Sequence, residues 1–336
     1  MKGRPMTAYI GIDIAQDKFD VLVWRDAARP EPAVFDNTRQ GFNQCHRFLK
    51  KRHAHQAPVC MEATGIYYEE LAHFLHEKGY PISVVNPLQI KAYAQSQLRR
   101  NKTDRVDAAV IADFCRTQAP PLWTPPDPAW YELRALVRHL EDLETDRQRQ
   151  RNRRGAVTRS AQPSSTVLDN LHDQIAFLTH QIEAVKQQIQ QHIDHHPDLK
   201  QQRDLLVSIK GIGLLTAAKL LAEFGDMTHF DNVRQVVAFA GLNPKHRQSG
   251  SSVRGKTAIS KMGRASIRAA LYMPAINAKR FNPLLQPFVQ RLAQQGLCES
   301  EIIVAVMRKL LHLAFGILKS GQPFDPLYLE KRAAIA

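Results

Sequence analysis

The stretch YIGIDIAQDKFDVLVW, residues 9–24, decides the fold. Its apolar residues fall in two β-branched and aromatic runs, Tyr9 to Ile14 and Phe19 to Trp24, separated by the short stretch Ala15 to Lys18. Two antiparallel strands joined by a hairpin follow from that pattern. Strand alternation sets Asp13 on the face of Gly11 and away from Ile12 and Ile14. A lone carboxylate in such a strand calls for a chemical reason. Working outward, Ala33 to Asn37 supplies a third strand and 41–52 a helix. A strand (59–63), a helix (67–78), a strand (82–85) and helices over 88–98 and 103–115 complete the region. Strands followed by alternating β and α elements predict a mixed sheet flanked by helices, an α/β domain.

Three further acids accompany Asp13. Glu62, in CMEATG, ends an apolar strand before a glycine turn, where side chains emerge at the carboxyl edge of a sheet. Asp104 and Asp107, in NKTDRVDAA, stand at i and i+3 and share a face at a helix start. Each has a bland alternative, as a turn residue, a helix cap, or a partner of Lys102 or Arg105. Together they form a cluster that repels itself without a cation, and hard oxygen ligands select Mg²⁺ or Mn²⁺. Two such ions about 4 Å apart suit phosphodiester cleavage.

The charge distribution points the same way. The 336 residues carry 46 Lys and Arg against 32 Asp and Glu, a net +14. Segment 1–117 holds 17 cations and 13 acids, 118–231 holds 13 and 15, and 232–298 holds 11 and none. A run this long without a carboxylate is expected by chance in about one window in a thousand, so a polyanion partner is the simplest explanation. With 44% hydrophobic and 23% charged residues the chain is of ordinary globular composition. Cys45, Cys60, Cys115 and Cys298 form no C-x-x-C pair, and no apolar leader follows Lys2 and Arg4, so a reducing cytosol is expected. Ile302 to Leu318 is interrupted by Arg308, Lys309 and His312 and reads as a buried amphipathic helix, with no membrane span. The histidine pairs His53/His55 and His195/His196 lack zinc-site spacing.

Five prolines in 118–130 mark a linker. After it Leu133, Leu136, Val137, Leu140 and Leu143 begin a helix. Leu168, Leu171, Ile175, Leu178, Ile182, Val185 and Ile189 then follow in three- and four-residue steps, a coiled-coil seam. The break at Gln162 to Ser165 lets the two helices fold back or seat a partner subunit. In VSIKGIGLLTAAKLLAEFGD, residues 207–226, Gly211 and Gly213 form a turn like that of a helix-hairpin-helix, whose amides can approach phosphates, or a plain helix–helix turn. Ser249, Ser251 and Ser252 lie in a glycine-containing loop beside Lys245, Arg247, Arg254 and Lys256. A phosphate held among those cations is a good electrophile for a hydroxyl, or the serines simply hydrogen-bond it.

The motifs GIDIA, EATG, NKTDRVDA, GLNPKHRQSGSSVRG and SKMGRASIRAALYMPA closely resemble those of DEDD-type insertion-sequence transposases with a C-terminal serine. These are bridge-RNA-guided recombinases related to Piv-type DNA invertases. The resemblance runs from Tyr9 to about Asp325. It implies a RuvC-like ribonuclease H fold over 1–117, with Asp13, Glu62, Asp104 and Asp107 as the catalytic, Mg²⁺- or Mn²⁺-binding tetrad. It implies that Ser249 is the nucleophile joined to DNA, in a site shared by both domains and formed between subunits.

The expected organisation is a RuvC-like α/β domain (1–117), a proline-rich linker (118–130), a helical coiled-coil dimerisation region (131–197), a mainly α C-terminal transposase domain (198–325) and a tail (326–336). Nucleic acid is expected at Lys102, Arg105, Gly211, Gly213, Lys245, Arg247, Ser251, Ser252, Arg254, Lys256, Lys261, Arg264 and Arg268. The expected partners are donor and target DNA, an element-encoded guide RNA and further copies of the chain, as a dimer or tetramer, in the bacterial cytoplasm with the nucleoid. A hydrolytic RuvC-like nuclease, in which the serine loop only binds phosphate, is the alternative.

Overall fold

The computed structural model describes residues 8–25, 29–97, 104–245, 248–249, 253–254 and 258–328, with 104–106, 248–249 and 253–254 described in backbone alone. The chain divides into two compact units, Met1–Pro125 and Pro126–Ala336.

The first unit is built on strands β1 (Ala8–Ile14), β2 (Lys18–Arg25), β3 (Glu31–Asp36), β4 (Val59–Glu62) and β5 (Ile82–Val85). The sheet order is β3-β2-β1-β4-β5; β1, β2 and β3 are antiparallel neighbours, and β4 and β5 run parallel to β1. One face is the larger core. Ile10, Ile12, Phe19, Val21, Val59, Met61 and Ile82 pack there beneath helices α1 (Arg39–Lys51) and α2 (Glu69–Glu77), which contribute Phe42, Leu49, Leu71, Phe74 and Leu75. The other face carries α3 (Pro87–Ser96) and α4 (Asp104–Gln118), whose Ile90, Val110, Ile111, Phe114 and Cys115 cluster with Cys60 and Val85. The elements read from the sequence form within a few residues of the expected bounds, because each apolar run has a core to bury in.

The second unit is helical. Helices α5 (Pro128–Thr158) and α6 (Ser165–His195) form a long hairpin. Asp127 caps α5 by accepting from the Ala129 amide at 2.7 Å, and Ser164 caps α6 from the Val167 amide at 3.5 Å. The seam Leu171, Ile175, Leu178, Ile182 and Val185, expected to bind a second chain, is taken up within this one: all but the half-buried Leu178 are buried. Within the single chain the hairpin therefore already buries most of the seam. The helix break at 159–164 folds α6 back on α5, whose Leu133, Val137 and Leu140 share one core with Ile182, Val185 and Ile189.

The base of the hairpin joins a core formed by α7 (Pro197–Val207), α8 (Leu214–Phe224), α9 (Val233–Phe239), α10 (Ala265–Phe281), α11 (Gln286–Gln294) and α12 (Glu299–Ser320). Helix α12 buries Ile302, Val306, Leu310, Leu311 and Ala314, as its amphipathic pattern predicts. Among the described residues no helix is long and apolar enough to cross a membrane.

Candidate functional site

Gly11 explains how the acids assemble. A Cβ at this position would lie 2.2 Å from the Ala108 carbonyl oxygen and 2.3 Å from the Ala112 amide nitrogen. Only glycine lets α4 rest its backbone on β1. Asp107 adjoins Ala108, and Asp13 stands two residues beyond Gly11 on the same face, about 6–7 Å along the strand. On the neighbouring strand Ile12 pairs with Met61, so Asp13 and Glu62 stand side by side at the next step. Asp13, Glu62 and Asp107 therefore share one patch of the α4-covered face. The side chain of Asp104, one turn before Asp107, lies outside the described residues.

Each of Asp13, Glu62 and Asp107 has an interaction partner. Thr64 donates its hydroxyl to Glu62 Oε1 at 3.4 Å. Among the described residues no three His, Cys, Asp or Glu side chains lie close enough together to hold a metal ion. The donor chemistry, oxygens alone, is that of a hard divalent cation.

Two residues at this patch carried no signal by themselves in the sequence. Asp20 is the direct cross-strand partner of Asp13 and is held by Lys18 at 3.6 Å. Like charges placed opposite each other weaken a sheet, so a cation near them relieves a real cost. Asn37 donates its amide to the carbonyls of Ala15 (3.1 Å), Gln16 (3.3 Å) and Tyr67 (3.1 Å). It ties the β1–β2 hairpin to the loop that follows Glu62. Register and loop closure reveal both residues, and neither is visible in a linear pattern. Behind the patch, Cys60 on β4 and Cys115 on α4 are buried and hydrogen-bonded to each other, and that bond together with burial pushes the Cys60 thiol up.

In the second unit Ser249 lies on a hairpin arm. Strands β6 (Pro244–Lys245) and β9 (Ala258–Ile259) form its base, and β7 (Gln248–Ser249) and β8 (Val253–Arg254) its outer ladder, with Ser249 opposite Val253. The arm is anchored where Gly241 and Gly263 meet: a Cβ on Gly263 would lie 2.4 Å from the Gly241 amide nitrogen. Ser260 and Lys261 donate their amides to Asn243 (2.9 Å) and Gly241 (3.1 Å). The glycines of the two motifs that flank the loop thus close its base. Lys245 is exposed on β6, and Lys261 is exposed at the base with φ +55°. The side chains of Arg105, Ser249 and Arg254, and all of Lys102, Arg247, Ser251, Ser252 and Lys256, lie outside the described residues.

Two of the expected phosphate-binding cations serve the fold. Arg264 donates to the carboxylate of buried Glu223 at 2.9 Å, to its carbonyl at 2.9 Å, and lies over the Phe239 ring. Removing Arg264 would strand a buried carboxylate, a loss of about 3 kcal/mol or more. Arg268 donates to the carbonyls of Ala240 (3.0 Å) and Gly263 (3.2 Å). Gly211 has φ +111°, and a Cβ there would lie 2.7 Å from that of Ala278 on α10, so helix packing explains this glycine. Gly213 caps α8, is exposed, and has open space around it, leaving the α8 amides accessible.

An acid-bearing α/β unit followed by a basic helical unit with a serine arm is the build of an enzyme that cuts and rejoins DNA. Comparison with known proteins gives the same class. A transposase family of the DEDD type matches residues 10–163, and the family described as "Transposase IS116/IS110/IS902 family" matches residues 203–290. The pilin gene-inverting protein of Moraxella bovis is 35% identical over 326 residues, covering 94% of this chain and 97% of that protein, and the Moraxella lacunata protein is similar to the same degree. The transposase of insertion sequence element IS1328 from Yersinia enterocolitica is 25% identical over 364 residues, covering 96% and 99%. The chain belongs to the IS110-type family of transposases and DNA invertases, and it is a DNA recombinase.

Proposed function

We propose that this recombinase moves or inverts a DNA segment by attack of Ser249 on a phosphodiester, assisted by the acidic patch and guided by an RNA encoded with the element. The observation that carries the reading is the shared patch of Asp13, Glu62 and Asp107, which Gly11 makes possible by admitting α4 onto β1. The central β1 flanked by antiparallel β2 and parallel β4 supports a RuvC-like, ribonuclease H type unit. The DEDD-type domain points to dependence on a divalent cation, Mg²⁺ or Mn²⁺ in this reading. Asp13, Glu62, Asp104 and Asp107 would hold it, and it would supply stabilisation of charge developing on the phosphate oxygens.

The serine Oγ forms a bond to phosphorus while the bridging P–O bond to one DNA strand end breaks; a protein side chain acting as base takes the serine proton, and the departing strand-end oxygen takes up a proton and leaves as a hydroxyl. The bond energy is kept in the serine–DNA ester, so a second strand end can reverse the step without an external energy source. Exposed Lys245 and Lys261 and the α8 amides at Gly213 would neutralise the DNA or guide backbone. Sequence choice would lie in base pairing, with the protein reading backbone shape and charge. Two duplexes must be held together for exchange, so the working form is a homo-oligomer, a dimer or tetramer assembled through surfaces other than the occupied α5–α6 seam, with the chromosome in the cytoplasm.

The test uses a suicide DNA substrate with the full chain and its RNA. A protein–DNA species that survives detergent is expected, lost in Ser249→Ala and in Asp13→Asn, while both variants still bind DNA. Cleavage that persists in Ser249→Ala with no adduct under any condition would overturn the serine mechanism in favour of metal-dependent hydrolysis.

A further inference from the structure

Helix α5 changes character along its length. Its seam positions step by four and three through Leu133, Val137 and Leu140, all buried in the core, then through Glu144, Arg147, Arg151 and Arg154. Between 146 and 159 there are six arginines, Arg147, Arg149, Arg151, Arg153, Arg154 and Arg159, and one acid, Asp146. The near-neutral balance of 118–231 hides this cluster. Arg147 is half-buried and the other five are exposed. Arg149 pairs with Asp146 at 2.8 Å. Among the described residues no carboxylate forms an ion pair with the other five, those of Asp169 and Asp173 on α6 included.

A merely solvated helix face intersperses acids three or four residues from its cations. Here Arg147, Arg151 and Arg154 follow at i, i+4 and i+7, a spacing at which like charges destabilise a helix. A polyanion removes that cost. Every cation in the stretch is arginine, whose planar fork binds phosphate in pairs of hydrogen bonds. The stretch contains no Phe, Tyr or Trp, so it offers no platform for stacking unpaired bases, and it stands on a convex helix rather than in a groove. About 13 residues of helix reach roughly 20 Å, the length of about six base pairs.

We infer that the distal half of α5 is a second DNA-binding surface, separate from the acid-free segment 232–298, which grips the phosphodiester backbone of duplex DNA without reading its sequence. Leu171 and Ile175 lie on the half of α6 that faces this stretch and are buried, although α5 presents no leucines there. Arginine stems are long enough to cover apolar residues of this kind while their guanidinium groups stay in water.

The test replaces Arg147, Arg151, Arg153, Arg154 and Arg159 together by Gln in the full chain; Gln keeps helix propensity. Binding to a 40-base-pair DNA duplex of unrelated sequence is measured across a salt series. The expected result is an affinity lower by at least about tenfold at moderate salt and a salt slope shallower by roughly 3 to 4, for the loss of about four phosphate contacts. The corresponding Arg→Lys set should restore most of the slope. Circular dichroism and sedimentation on the same samples report helix content and oligomeric state. An unchanged slope with helicity intact overturns the inference. A loss confined to an RNA duplex of equal length overturns it in favour of the guide, and dissociation of the oligomer with unchanged DNA affinity overturns it in favour of a protein interface. If the Gln set fails to fold, the Lys set against Arg151→Gln and Arg154→Gln alone decides, since two lost contacts still flatten the slope by about 2.

Discussion

Gly11 is the residue on which the first unit turns, because α4 can approach β1 only where no side chain intervenes. Gly11→Ala would push Ala108 and Ala112 off the strand and carry Asp107 with them. The expected cost is about 1–3 kcal/mol or more, read as a lower urea midpoint, together with loss of strand transfer. Gly79→Ala, a glycine with open space around it but φ +78°, is the control that separates backbone strain from steric exclusion. Asp13 and Glu62 were legible in the sequence because each interrupts or ends an apolar run, and Asp107 because it stands three residues after Asp104 at a helix start. Asp20 and Asn37 were not, because their importance comes from strand register and from three carbonyls that converge only when loops close.

At the scale of elements, the α5–α6 hairpin shows what a heptad pattern leaves open. The seam specifies that a partner helix is needed and does not say whose it is. The structure supplies α5, and Ile182, fully buried between the two helices and the core, measures that choice. Ile182→Ala is expected to destabilise the second unit by about 2–5 kcal/mol without changing the sedimentation of the folded protein. A shift to monomer at unchanged stability would instead return the seam to dimerisation. The serine arm is the converse case. Its glycine and serine composition reads only as a loop, yet the pairing of Ser249 with Val253 and the meeting of Gly241 with Gly263 give it a defined base and ladder.

For the whole molecule, two histidines couple stability to pH. Burial lowers the pKa of His46 below its ordinary 6.5, with Lys50, His55 and Lys78 adding to the effect. His312 on α12 is lowered by burial and by Arg308 and Lys309. Unfolding raises both values, so the unfolded chain binds more protons and stability is present above about pH 6.5 and falls as the pH drops through it. A lower thermal midpoint is expected at about pH 5.5 than at about pH 7.5, with a smaller difference in His312→Gln; an equal difference would remove His312 from the account. By itself the sequence determined the strands and helices of the first unit, the acids that lie among them and the acid-free basic segment. These rest on hydrophobic period and local charge, which are properties of neighbours along the chain. Only the tertiary structure decided that α4 lies on Gly11, that Asp20 faces Asp13, that α5 fills the α6 seam, and that Arg264 is spent on Glu223. Those outcomes depend on which surfaces meet in space, where steric exclusion over a fraction of an ångström and the cost of an unpaired buried charge outweigh any preference readable along the chain.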